Sequence, residues 1–231
     1  RIQAISNYLA KWARDLGARC TVEVVANGVD LKKFQISNDK FQINYKNQIT
    51  NIKKQLDISE NDKIVITASR LVKKNGVGDL IKAMKILNLQ SSIFNLHLLV
   101  AGDGELKNKL VRLVDKLGLV DGVRFLGNIS HDELSKYLWA SDVFCRPSLS
   151  EGLGNVFLEA MAAGLPIIGT KVGGIPDFLV DDETGLFCEV GNPKNIAANI
   201  KRILTDVDLR EKLILNGKKL NDFKFVDEVE I

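Results

Sequence analysis

From Lys63 onward, short apolar runs alternate with amphipathic stretches, and this alternation leaves few folds open to the chain. The runs Ile64–Ala68, Leu96–Ala101, Val123–Leu126, Val143–Cys145, Pro166–Gly169 and the shorter Gly185–Cys188 are apolar nearly throughout. Strands buried on both faces have this character, whereas half-exposed strands alternate apolar with polar. The stretches between them carry helical stripes. Leu80, Ile81, Met84 and Leu87 share one face, and Leu106, Leu110, Leu113 and Leu117 share another. Further helical patterns cover Asp132–Ala140, Gly154–Ala163, Pro193–Thr205 and Leu209–Leu220. Strands that alternate with helices and are apolar on both sides predict a parallel sheet with helices on each face. Right-handed crossovers then give a doubly wound, Rossmann-like α/β domain.

Ahead of this region, the chain begins at Arg1 without a methionine, in what reads as a helix, and is expected to be a piece of something longer. A helix is predicted from Ser6 to Leu16, with Gly17 as its C-terminal cap. A β-like run, Thr21–Ala26, leads into Asn27-Gly28, which reads as a turn. Residues 35–62 are polar and rich in Asn and Lys, and read as a surface connection with a short helix near Tyr45–Leu56.

Composition excludes several classes. A formal net charge of +3 is too small and dispersed to imply nucleic acid, and the lysine pairs at 32–33, 53–54 and 73–74 read as solvated surface. Cys20, Cys145 and Cys188 are widely spaced and odd in number, so they read as reduced, buried thiols of a cytosolic protein. No apolar run is long enough to cross a bilayer. Gly102-Asp103-Gly104 lacks the third glycine of a dinucleotide fingerprint, and no GxxxxGK[ST] run occurs. Asp181-Asp182-Glu183 reads as a turn, and His97 and His131 as core or cap residues.

In a doubly wound sheet, ligands bind beyond the carboxyl ends of the strands, at the switch point. That draws attention to the loops Ser69–Gly76, Gly102–Glu105, Gly127–Ser130, Arg146–Asn155 and Thr170–Pro176. In Arg146-Pro147-Ser148-Leu149-Ser150-Glu151-Gly152-Leu153-Gly154-Asn155-Val156, a strand ends, a glycine-containing turn follows and an apolar helix begins. The glycines let a ligand approach amides at a helix N-terminus, where free donors and the helix dipole favour phosphate. Glu159 follows ~12 Å along that helix. There it is flanked by Phe157, Leu158, Ala160 and Met161, where an unpartnered carboxylate is costly. Its partner is either a structural arginine or solvent on one reading, or ribose hydroxyls on the other. Taken alone, Glu151 reads as a surface glutamate. Arg70, Lys73 and Lys74 would suit a diphosphate, though from spacing alone they read equally as a solvated basic loop.

Together these segments resemble the C-terminal half of the family 4 retaining glycosyltransferases. The likeness rests on Ala26-Asn27-Gly28-Val29-Asp30, Ser69-Arg70-Leu71 with Gly76, Ala101-Gly102-Asp103-Gly104 and Phe125-Leu126-Gly127. It continues through Glu151 to Glu159 as an E-x7-E motif, Glu159-Ala160-Met161-Ala162-Ala163-Gly164-Leu165-Pro166 and Gly173-Gly174-Ile175-Pro176. The resemblance implies one half of a GT-B two-domain fold, with residues 1–30 closing the N-terminal domain and 31–231 forming the nucleotide-sugar domain. It implies that Arg70 and a nearby lysine hold the diphosphate of a UDP-, GDP- or ADP-sugar, that Glu151 touches the transferred sugar, and that Glu159 binds ribose. It further implies that the segment Gly152, Leu153, Gly154, Asn155 and Val156 supports sugar and phosphate, and that Phe125, Gly127 and Asn128 border the base. Such enzymes use no cofactor and need no metal-binding DxD motif, and none is assigned here.

One position departs from the family pattern. Where the family usually has a lysine before the glycine of the first loop, this sequence has Asn75, so Lys74 or Lys73 is expected to reach the phosphates. The resemblance also places the acceptor, whether sugar, lipid-linked or polysaccharide, in a missing N-terminal domain. It implies a cytoplasmic enzyme with room for peripheral association at the inner face of the membrane. On that basis the chain alone binds donor weakly and transfers nothing. A non-catalytic nucleotide-sugar-binding module and a GT-B-fold 2-epimerase stand as alternatives.

Overall fold

The computed structural model describes residues 1–34, 39–90 and 95–224, with backbone only at 31–32, 39–45, 90 and 221–224. Two parallel strands, β1 (Ile2–Ala4) and β2 (Val22–Val24), flank helix α1 (Asn7–Asp15) and pair Gln3 with Glu23. Arg1 therefore precedes a strand, not the helix expected there. Ser6 begins α1 by accepting from the Leu9 amide, and Gly17, with φ +89°, follows its end as predicted. Asn27 and Gly28 run on without a turn, and Gly28 has no positive φ. Val29 is instead buried in the main core.

Helices α2 (Leu31–Phe34) and α3 (Asp39–Gln55) follow. The helix expected near Tyr45–Leu56 is therefore longer and starts earlier, while residues 35–38 lie outside the described residues. Lys53 is buried rather than solvated. Its ammonium donates to the Glu60 and Asp62 carbonyls at 2.7 and 2.9 Å, which offsets its desolvation.

The central sheet comprises β3 (Lys63–Ala68), β4 (Leu96–Ala101), β5 (Val123–Gly127), β6 (Val143–Arg146), β7 (Ile167–Thr170) and β8 (Leu186–Cys188). All are parallel, in the order β5-β4-β3-β6-β7-β8. The connecting helices are α4 (Val77–Gln90), α5 (Lys107–Lys116), α6 (His131–Trp139), α7 (Asn155–Ala162), α8 (Pro193–Thr205) and α9 (Val207–Lys224). Each predicted strand and helix is present, with ends displaced by a few residues. The doubly wound expectation holds, and the chain reverses its direction of growth between β3 and β6.

Successive strand residues point to opposite faces. On one face Val65, Leu98 and Val143 pack with Leu80, Leu110 and Ile200 of α4, α5 and α8. On the other, Ile64, Ile66 and Phe144 pack with Leu138, Phe157 and Met161 of α6 and α7. Phe144 and Phe157 meet edge to face, with centroids 5.2 Å apart. Cys145 and Cys188 lie on the opposite face, in the core with Val65 and Leu98, where burial raises both thiols, Cys188 to about 12, whereas Cys20 is exposed, against expectation. His97 is held at 3.0 Å from Asp62, and Asp182 makes the expected turn with φ +60°. The triplet Asp206-Val207-Asp208, passed over in the sequence, is literally a DxD. It lies at the α8–α9 joint, where Asp206 accepts from the Leu209 amide.

Because Phe144 is fully buried under α7, Phe144→Ala should remove about 3–5 kcal/mol of stability. Urea unfolding would show this as a lower midpoint, and an unchanged midpoint would contradict the packing described.

Candidate functional site

The strands on either side of the switch point send out the two loops that build the site. After β3, Ser69 and Arg70 lead into a tight 3-10 turn, Lys73–Asn75. Gly76 closes it with φ +69°, and a Cβ there would lie 1.9 Å from the Pro147 carbonyl oxygen, so only glycine lets the two loops touch. The Leu149 amide donates to the Lys74 carbonyl at 2.6 Å. The Ala101–Gly104 segment braces the same loop, since Leu71 donates to the Asp103 carbonyl at 2.8 Å. This GxG is thus structural support for the Arg70 loop.

After β6, the chain passes through Glu151 and Gly152 to α7, with Gly154 at φ +91° as its N-cap. Gly173 and Gly174 press backbone to backbone on that segment. A Cβ on Gly173 would fall 1.6 Å from the Glu151 carbonyl oxygen. The Phe157 amide donates to the Gly154 carbonyl at 2.9 Å, which leaves the Asn155 and Val156 amides at the positive end of the helix dipole.

Between the loops lies a cavity of about 550 Å³, lined by Arg70, Lys74, Arg146, Glu151, Asn155 and Val156 among others. Gly152, Leu153 and Gly154 also line it, so most of the expected sugar and phosphate residues converge. The polar floor is connected. Arg146 Nη2 donates to Glu151 and, at 3.0 Å, to Asn75 Oδ1, while Asn75 Nδ2 donates to the Arg70 carbonyl at 2.6 Å. Glu151 also accepts from the Gly152 amide at 3.0 Å. Burial pulls the Arg146 guanidinium below its ordinary value, and Glu151 opposes that shift. Glu151 is therefore a half-buried, ion-paired group and not the surface glutamate its sequence context suggests when read alone.

Glu159 stands apart from this cavity. It is buried in the outer turns of α7, with Oε1 3.5 Å from His131 Nδ1 at the start of α6. His131 follows directly on the Gly127–Ser130 loop, so Glu159 meets the start of α6 where that loop ends. Phe125 packs against the opposite core, and neither it nor Gly127 nor Asn128 lines the cavity. Burial raises the Glu159 carboxyl above the ordinary range, and His131 opposes this. The partner expected as a structural arginine, solvent or ribose is here a half-committed histidine.

Of the two lysines, Lys74 lines the site, whereas Lys73 turns to a second cavity of about 630 Å³ between α4 and α5. Its floor is Val77, Leu106, Leu110 and Leu113, and its rim includes Lys109 and Arg112. The residues sequence reading missed are Arg146 and Asn75 acting as a pair. The available signal was an arginine ending the otherwise apolar run Val143–Cys145 immediately before Pro147. Among the described residues no cluster of His, Cys, Asp and Glu suits a metal ion, and no helix is long and apolar enough to cross a membrane.

The model for the family "Glycosyl transferases group 1" matches residues 48–220. A capsular polysaccharide biosynthesis glycosyltransferase, CapM of Staphylococcus aureus, is 35% identical over 88% of this chain and 50% of its own length. The C-terminal domain of the group 1 glycosyl transferase LpcC of Francisella tularensis superposes with a TM-score of 0.73 at 26% identity, over 87% of this chain and all of that one. HepE of Anabaena, solved with UDP-glucose, has the same fold, with a TM-score of 0.84 at 23% identity, over 97% of this chain and 59% of its own. The chain spans about half the length of the curated relatives it matches.

Because the folded Glu159 carboxyl titrates above its unfolded value, the unfolded chain loses its proton first as pH rises. Stability contributed at low pH is therefore lost through that window. Glu159→Gln should gain stability over the wild type between about pH 4 and pH 7, with no gain at the lower end. Urea unfolding at both pH values checks this, and a pH-independent difference would contradict it.

Proposed function

We propose, from the premise that this chain belongs to the group 1 glycosyl transferases, that it is the donor-binding half of a retaining enzyme that uses a nucleoside diphosphate sugar. What supports the reading is the meeting, at the switch point, of Arg70, Lys74, Glu151 and the amide end of α7 around one cavity, with a buried carboxylate at Glu159 further along the same helix. The HepE complex with UDP-glucose is in keeping with such a ligand, as is the polysaccharide role in CapM's name.

In this reading the diphosphate lies against Arg70, Lys74 and the amides of Asn155 and Val156. Glu151 accepts from a hydroxyl of the transferred sugar, and Glu159 accepts from the ribose. As the glycosidic bond breaks, negative charge grows on the leaving diphosphate. Cations and amides already in position then stabilise the transition state more than the ground state. The acceptor attacks from the face the leaving group departs, and a leaving phosphate oxygen takes its proton, so configuration is retained without a metal or cofactor. The acceptor, a sugar, lipid-linked or polysaccharide chain, binds in a domain N-terminal to this one. The enzyme works in the cytoplasm, at the inner membrane face where its acceptor is lipid-linked. The 231-residue chain alone turns over no donor with a simple sugar acceptor, and turnover would refute that division of labour.

Calorimetric titration with UDP, GDP and ADP and their glucose or mannose conjugates tests the donor reading. One base should bind saturably, and Glu159→Ala should abolish it. Lys74→Ala should weaken the diphosphate roughly tenfold, the effect of one charge-assisted hydrogen bond. Absence of binding by the full-length protein to all three bases would overturn the reading, and undiminished binding by Lys74→Ala would remove Lys74 from it.

A further inference from the structure

The buried cation of the cavity is Arg146, and the donor reading above does not use it. It ends β6 with a side chain only 10% exposed, lies 6.0 Å from the Phe157 ring centroid and lines the cavity. A guanidinium has five N–H donors. Nη2 gives its two to Asn75 and Glu151. Nε is buried with no partner, and Nη1 makes no hydrogen bond among the described residues yet is not buried. Ser69 Oγ, also on the cavity wall, is buried and unpartnered too. A buried arginine with unspent donors is costly unless something completes it. The third side of the polar triangle, Asn75, is neutral and only 2% exposed, so the inner part of the Arg70 loop carries no charge of its own.

We propose that Arg146 is the inner phosphate-binding group of the site, supplied from β6 instead of from the Arg70 loop, with Asn75 as the neutral post that holds it. Its charge is matched by Glu151, which it also holds in place. A nucleoside diphosphate brings negative charge to the cavity and takes the free Nη1 donors. Glu151, still oriented by Arg146 and the Gly152 amide, then turns its second lone pairs to a sugar hydroxyl. Arg70 and Lys74, both exposed, form the outer, solvent-screened part of the same anion site. One side chain thus links phosphate occupancy to the carboxylate that meets the sugar. The proposal rests on the donor-site reading and adds to it the origin of the inner charge.

The test uses the full-length protein and two probes, the nucleoside diphosphate it binds best among UDP, GDP and ADP, and the parent nucleoside without phosphates. Arg146→Leu should lower diphosphate affinity about ten- to a hundredfold and change nucleoside affinity by less than about twofold. Moving the charge back in the double variant Asn75→Lys/Arg146→Leu should recover at least about tenfold. A merely structural arginine would depress both probes alike and gain nothing from a lysine at 75. That result, or diphosphate affinity unchanged in Arg146→Leu, overturns the proposal. If circular dichroism shows the single variant unfolded, the double variant decides. Binding of diphosphate within about tenfold of wild type supports the proposal, and loss of it in a folded protein overturns it. Wild-type protein that binds no nucleoside diphosphate overturns both readings, whereas wild-type binding with these variants indifferent overturns this one only.

Discussion

The backbone seam between the loops after β3 and β6 carries the rest of the site. The two strands are neighbours at the point where the sheet changes its direction of growth, so their loops leave side by side and a crevice opens above them. The seam is closed at three places: Gly76 against the Pro147 carbonyl, the Leu149 amide on the Lys74 carbonyl, and Asn75 on Arg146. Each contact fixes a backbone or a buried group and leaves little play. Arg70, Lys74 and Glu151 hold their relative positions because this seam does.

The seam is polar where the core on both sides of it is apolar, and that contrast has an energetic cost. Arg146 and Asn75 are buried, and Arg146 lies 6.0 Å from the centroid of the fully buried Phe157 ring. Mutual pairing offsets much of their desolvation, but the guanidinium retains unpartnered donors and Glu159 keeps a carboxyl pushed toward its neutral form. Groups of this kind reduce stability. A ligand carrying two phosphates and vicinal hydroxyls would satisfy both at once. Both groups belong to the one segment that runs from the end of β6 into α7.

The architecture was legible because its signal is collective. Runs such as Ile64–Ala68 and Leu96–Ala101 are too apolar for a half-exposed strand, and stripes such as Leu80-Ile81-Met84-Leu87 fit only a helix lying on a sheet. Errors came where a local pattern was overridden by tertiary contact. Asn27-Gly28 has turn chemistry, but burial of Val29 keeps the segment extended. Lys53 looks like surface and is sequestered by two carbonyls. In the site, Arg70, Lys74, Glu151 and the Gly152–Val156 segment were found from motif and helix-start chemistry, and they do line one cavity. Arg146 was not, because its role depends on a partner 71 residues away that no spacing rule connects to it. The buried state of Asn75 was equally invisible, since asparagine in a loop ordinarily signals only a turn.

The most direct test of the account is a crystal structure of the full-length protein with the nucleoside diphosphate it binds. The account predicts phosphate oxygens within hydrogen-bonding distance of Arg70 and of the Asn155 and Val156 amides, with ribose hydroxyls at Glu159. A nucleotide seated instead in the cavity between α4 and α5, or with its phosphates turned away from the start of α7, would contradict it.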